Sequence, residues 1–223
     1  MKKLVGLVLA VCLTMALTGC KATDYKKAKE LCATGEYVAA YEAFDALGDY
    51  KDSAEQATEA RYLYAAELME SGDYPAASDL FSSLGEYKDS VNQAKEAQYL
   101  YASELSDSGE YSAASSAFNA LGNYKDSVDR ANRAMWLYAV ELSDNKEYEK
   151  SITILKRLKG SGYTSAKKTL NDTYLAYGEA LIGEGSYSKA LTMLKNCTQD
   201  DRLKEILDST AATLAAANNY KTA

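Results

Sequence analysis

The sequence contains no histidine, and this absence excludes several common kinds of site. An imidazole general base, a nucleophile paired with histidine and a histidine-ligated metal are all ruled out. The 223 residues carry a net charge of −7, which disfavours nucleic-acid binding, because such binding depends on Lys and Arg neutralising phosphates. The chain also lacks a calcium-binding loop, a phosphate-binding glycine loop and a cysteine cluster. We therefore expect no enzyme activity, no cofactor and no metal.

The beginning of the chain has the pattern of an export signal. Two lysines precede an apolar run from Leu4 to Leu17, which is shorter than the roughly 20 residues that a membrane-spanning helix needs. Thr18 and Gly19 then separate this run from Cys20. The pattern predicts a secretory signal peptide and not a permanent transmembrane helix.

The residues from Leu17 to Cys20 resemble the lipobox of bacterial lipoproteins. This resemblance implies that residues 1–19 are cleaved and that Cys20 becomes an acylated first residue, anchored to the extracytoplasmic face of a cell membrane. Cleavage would leave 23 basic and 32 acidic residues, a net charge of −9, so that attraction to anionic lipids is not expected to be the anchor. The alternative is that Cys20 is an ordinary thiol beside an ordinary cleavage site.

The rest of the chain repeats with a period of 37 residues. Tyrosine recurs at this spacing, and so does a large apolar residue seven positions later; the last interval of each series is 39 residues. The two series are Tyr37, Tyr74, Tyr111, Tyr148 and Tyr187, and Phe44, Phe81, Phe118, Leu155 and Leu194. The segments LGDYKDS, LGEYKDS and LGNYKDS end at Ser53, Ser90 and Ser127. A fixed period in this range is typical of a solenoid of stacked repeats.

Each copy has the pattern of two helices. Gln56 falls three residues after Ser53, as in a capping box, and apolar residues then recur at helical spacing. Gly72 favours the end of this helix, which has a predicted length of about 18 residues. A second helix of about 11 residues is predicted from Tyr74 to Leu84, with Pro75 in its first turn.

The repeats resemble tetratricopeptide repeats. The resemblance rests on a small residue in each first helix, a leucine three residues later, and then the turn tyrosine and the large residue of the second helix. The small residues are Ala28, Ala65, Ala102, Ala139 and Gly178, and the leucines are Leu31, Leu68, Leu105, Leu142 and Leu181. The period of 37 instead of 34 residues and the LGxYKDS turn depart from the family pattern.

The fold class expected from this resemblance is all-α, a right-handed α–α solenoid of helix-turn-helix repeats with a C-terminal capping helix. We expect a signal peptide over residues 1–19, a short lipidated linker over 20–23, the repeats over 24–199, and the capping helix with its tail over 200–223. Cys32 and Cys197 belong to the first and fifth copies, so no disulfide is expected between them.

The family resemblance also implies candidate sites, because first helices of tetratricopeptide repeats line a groove that receives peptides. One column at such positions is aromatic and continues to Leu175: Tyr25, Tyr62, Tyr99 and Trp136. Exposed aromatic residues are common anchors of interfaces. The alternative is that these residues pack between repeats as structural filler.

A second column, formed by Glu70, Asp107 and Asp144, is acidic and would favour a ligand with basic groups. Its alternative interpretation is solvated charge at helix ends. A third column, which begins at Glu30 and Glu67, is expected to pair with turn lysines such as Lys51 and Lys88 or with a tyrosine hydroxyl.

Together these patterns predict a membrane-anchored extracytoplasmic module that binds a peptide or a partner protein in a concave groove. The alternative is a structural spacer or a scaffold of an envelope assembly without a groove ligand.

Overall fold

The computed structural model describes residues 20–198 and 201–222. The predicted signal peptide lies outside these residues. The helices in chain order are α1 (20–33), α2 (Tyr37–Leu47), α3 (Ser53–Ser71), α4 (Tyr74–Ser83), α5 (Ser90–Asp107), α6 (Tyr111–Ala120), α7 (Ser127–Asp144), α8 (Tyr148–Gly160), α9 (Ser165–Gly183), α10 (Tyr187–Leu194) and α11 (Asp201–Thr222).

Each copy folds into the predicted helix-turn-helix pair. The first helices α3, α5, α7 and α9 have 18 or 19 residues, and the second helices are shorter. Gly72 ends α3 in the left-handed conformation, with φ at 84°, which glycine adopts without steric cost. Pro75 lies in the first turn of α4, where the missing amide hydrogen leaves no helical hydrogen bond unmade.

The LGxYKDS turns begin the first helices by contacts other than a capping box. The Ser53 hydroxyl donates to the carbonyl of Tyr50 at 2.6 Å, and Gln56 Nε2 donates to Asp52 Oδ2 at 3.1 Å. The prediction of a Ser53–Gln56 capping box was therefore wrong, because both side chains bond to the turn that precedes the helix.

The chain divides into two compact units, residues 1–101 and 102–223, and the boundary falls within α5. In the described part of the first unit, α2 packs on α3 and α3 packs on α4. Its cores contain Phe44 and Phe81, which are almost completely buried, together with alanines such as Ala28, Ala65 and Ala77. Small residues on one helix thus leave room for the large residue of the neighbouring helix.

In the second unit, consecutive helices from α6 to α11 pack on one another. The core contains Leu155, Leu170 and Leu194, and the capping helix α11 contributes Leu203. Gly178 replaces the alanine of the other copies, and a methyl group at this position would lie 2.4 Å from Leu194 Cδ2. Glycine therefore permits the close approach of α9 and α10.

The expected all-α class is confirmed: the described residues form helices that pack consecutively in pairs as a repeat array. The four residues of the expected linker form the first turn of α1. No helix in the described part of the chain is long and apolar enough to cross a membrane.

The three turn serines provide an internal comparison for buried hydroxyl groups. Ser53, Ser90 and Ser127 are completely buried; the first two donate to turn carbonyls, whereas the Ser127 hydroxyl has no partner among the described residues. We expect Ser53→Ala and Ser90→Ala to cost about 1 kcal/mol of unfolding free energy each, and Ser127→Ala to be neutral or stabilising. Urea denaturation measures these differences, and equal losses in all three variants would contradict the assignment.

Candidate functional site

The aromatic column packs against the turns in the first unit. The Tyr62 ring makes edge-to-face contacts with Phe81 at 5.5 Å and Tyr87 at 6.0 Å, measured between ring centroids. Its hydroxyl donates to Asp89 Oδ1 at 2.5 Å, which raises the pKa of Tyr62 to about 12 and lowers that of Asp89. Tyr25 makes the equivalent bond to Asp52, also at 2.5 Å.

A turn lysine covers each of these two tyrosines. Lys51 and Lys88 adopt left-handed backbone conformations, with φ at 52° and 49°, which non-glycine residues rarely do. Their ammonium groups lie 4.6 Å from the Tyr25 ring centroid and 4.5 Å from that of Tyr62, within the range of cation–π attraction. This contact accounts for the recurrence of lysine at the same position of successive turns.

The acid that holds Lys88 is Glu59 and not Glu67, the residue expected from the sequence. Lys88 Nζ donates to Glu59 Oε1 at 2.7 Å, and the Tyr87 hydroxyl donates to Glu59 Oε2 at 2.6 Å. The bond from Lys88 is the main cause that lowers the pKa of Glu59. Glu30 of the same expected column instead lies 3.7 Å from Lys26 on its own helix.

The remaining members of the aromatic column are also enclosed. Tyr99 is only 9% exposed, and Trp136 and Leu175 are half-buried, packed against the core of the second unit. Trp136 Nε1 donates to Thr169 Oγ1 on α9 at 2.8 Å. Packing within the protein thus explains why aromatic residues recur in this column. The role of the column in partner binding stays a prediction.

Trp136 reports its own environment because it is the single tryptophan of the chain. We expect emission that is blue-shifted relative to a solvent-exposed indole and partly protected from acrylamide, since the ring packs on the core. Thr169→Val keeps the side-chain shape but removes the acceptor, and should cost about 1 kcal/mol of unfolding free energy. Red-shifted, readily quenched emission in the native protein would place the indole in solvent and contradict this packing.

The acidic column stays at the surface. Glu70, Asp107 and Asp144 are exposed, each in the last turn of a first helix. Of the three, Asp107 lines an open cavity of about 680 Å³ in the second unit, formed by the end of α5, α6, α7 and the turn before α9. The other lining residues include Tyr111, Phe118, Asp126, Asp129, Arg130, Arg133, Leu137 and Tyr163.

The two arginines of this cavity have different surroundings. Arg130 Nε donates to Asp126 Oδ2 at 3.0 Å and its Nη1 donates to Ser103 Oγ at 3.3 Å. Its guanidinium carbon lies 5.9 Å from the Phe118 ring centroid. Arg133 is exposed, and it has neither a hydrogen bond nor an ion pair with any other residue that the structure describes. The cavity therefore presents one guanidinium that is free to bind.

Arg133 also breaks the pattern of the repeats. The same column holds an acid in the other copies with a long first helix: Glu59, Glu96 and Asp172. In the second copy this acid, Glu59, binds Lys88 of the turn before α5, whereas the corresponding turn before α9 has a different sequence, without that lysine. Sequence reasoning missed Arg133, although a cation where the other long first helices have an acid could have revealed it.

The described residues contain no cluster of histidine, cysteine, aspartate or glutamate suited to a metal ion. Cys20, Cys32 and Cys197 are free thiols; Cys20 is exposed at the start of α1, and Cys197 is buried. No protein-family model matches the chain, and no curated protein matches it significantly.

Proposed function

We propose that this protein is an extracytoplasmic interaction module, anchored to a cell membrane through Cys20, that binds a peptide or partner protein on its repeat array. The observation that carries the proposal is the free guanidinium of Arg133 in the open cavity beside Asp107. In the copies with Glu59, Glu96 and Asp172 this position holds an acid. Its replacement by a cation without a partner favours a role in recognition.

The charges of the cavity specify the kind of partner segment. Arg133 suits a carboxylate, and Asp107 and Asp129 suit a basic group. Leu137 and Tyr163 add apolar surface to a lining that is mainly polar. The partner would therefore present both signs of charge on a short segment that fits the cavity.

The proposed acylation of Cys20 would hold the module at the membrane. Each methylene group that enters the hydrocarbon contributes about 0.8 kcal/mol, so that two or more chains give stable anchoring where one chain does not. A tether also raises the local concentration of the module for partners in the same membrane.

The alternative function is a spacer or an envelope scaffold without a groove ligand. The packing of Tyr25, Tyr62 and Trp136 favours it, because these side chains are engaged in contacts within the array. A spacer would tolerate changes at Arg133 and respond instead to the deletion of whole repeats.

Chemical crosslinking in cells, followed by purification of the protein from the membrane fraction, tests the proposal. An interaction module should yield a defined crosslinked partner that Arg133→Glu removes. Cys20→Ser should prevent acylation and release the processed chain from membranes. If the Arg133→Glu variant gives the same crosslinks as the native protein, the result favours the spacer. A Cys20→Ser variant that stays acylated and membrane-bound would contradict the anchor.

A further inference from the structure

An uncovered apolar groove lies between the first two helices. It is about 680 Å³ in volume and is lined by one face of α1 and by a face of α2 that carries three alanines. The lining residues are Cys20, Lys21, Asp24, Lys27, Leu31, Ala39, Glu42, Ala43, Ala46 and Leu47. The groove is thus separate from the cavity around Arg133.

Alanines make this groove deep enough for an apolar ligand. Ala43 occupies the column that holds Leu80 in the second copy and Ile154 in the fourth, where the larger side chains pack against the core. Ala39 and Ala46 are exposed on the same helix and do not fill the space. The lost methyl groups leave apolar surface in contact with solvent, which favours an occupant that buries it.

The charges around the groove balance one another. Lys21 and Lys27 are offset by Asp24 and Glu42, so the lining has no excess charge to attract an ion or an anionic lipid surface. Its binding energy would come from apolar contact with Leu31, Ala43 and Leu47. An uncharged hydrocarbon chain fits this combination better than a charged group does.

The position of Cys20 identifies the source of such a chain. Cys20, the residue that would carry the acyl chains, begins α1, and its exposed thiol itself lines the groove. Cys20 and Leu31 are eleven residues apart on α1, so the groove follows the helix over about 16 Å from the point of attachment.

We propose that one acyl chain carried by Cys20 lies in this groove, against α1 and α2. This inference rests on the proposed acylation of Cys20. A chain in the groove is withdrawn from the bilayer, so at least two further chains on Cys20 would hold the protein at the membrane. The bound chain also fixes the first repeat against the anchor, whereas a free tether would let it rotate.

Photocrosslinking of the acyl chain tests this placement. Cells are supplied with a fatty acid that carries a diazirine, and the full chain is purified from membranes after irradiation. Mass spectrometry then locates the crosslinks. We expect crosslinks within one molecule to peptides that contain Leu31, Ala43 or Leu47.

A matched pair of variants controls for general effects. Ala43→Leu introduces the side chain found at Leu80 and should lower groove crosslinking roughly tenfold, because the added atoms occupy the space of the acyl chain. Ala117→Leu makes the same change in the corresponding column of the third copy and should leave the crosslinks unchanged.

The possible outcomes separate this inference from the anchor itself. An acylated Cys20 whose crosslinks reach only membrane lipids would overturn the groove proposal and leave the anchor intact. An unmodified Cys20 would overturn both. Crosslinks between isotopically light and heavy molecules would assign the groove to a second copy and overturn the placement within one molecule.

Discussion

Replacing Phe81 by alanine is expected to lower the free energy of unfolding by about 3–5 kcal/mol. Phe81 is 1% exposed, and its ring meets Tyr62 edge-on in the core of the first unit. The alanine would lose the burial of the ring and leave a cavity between α3 and α4 that the helix pair closes only in part. Urea denaturation monitored by circular dichroism measures the loss.

The repeats themselves supply the control for this prediction. Leucine occupies the same column at Leu155 and Leu194, where it is completely buried. Phe81→Leu should therefore cost markedly less than Phe81→Ala, about 1.5 kcal/mol. An alanine variant within 1 kcal/mol of the native protein would show that Phe81 does not hold the pair together.

Replacing Arg133 by glutamate is expected to weaken partner binding by roughly 30-fold or more, while leaving the fold intact. The change restores the acid found at Glu59 and Glu96, so it is compatible with the helix. If the bound partner buries this charge pair, removing one member costs about 2–5 kcal/mol, largely because the other charge is left unpaired. The partner that crosslinking identifies is then titrated against the native protein and against the Arg133→Glu variant, and the two dissociation constants are compared.

Arg157→Glu is the matched control for this second prediction. Arg157 is also exposed, on α8, and its replacement makes the same change in net charge away from the lining of the cavity. It should bind the partner like the native protein. Equal losses in both variants would indicate a general electrostatic effect and remove the special role of Arg133.

The period of the sequence predicts the helices well, because each copy carries its own start and stop signals. The predicted second helix from Tyr74 to Leu84 is observed from Tyr74 to Ser83, and Gly72 ends the preceding helix as expected. These features are local: a left-handed glycine or an early proline acts through the backbone of its own turn.

The side-chain partners of the repeated residues are harder to predict, because the repeat period shows which helix face a residue lies on but not which residues pack against that face. Tyr62 bonds to Asp89, 27 residues later, and Lys88 bonds to Glu59, 29 residues earlier. Both contacts depend on how successive copies pack. Departures from the period are more informative, as Arg133 shows in a column that is acidic in the other copies with a long first helix.

The intact mass of the protein purified from membranes tests the account most directly. The proposed function requires a chain that begins at Cys20 and carries acyl groups on this residue. We therefore predict a mass that corresponds to residues 20–223 plus the added lipid, and a lipid-bearing N-terminal peptide after proteolysis. A chain that begins at Met1 with an unmodified Cys20 would contradict the proposed anchor and the membrane location built on it.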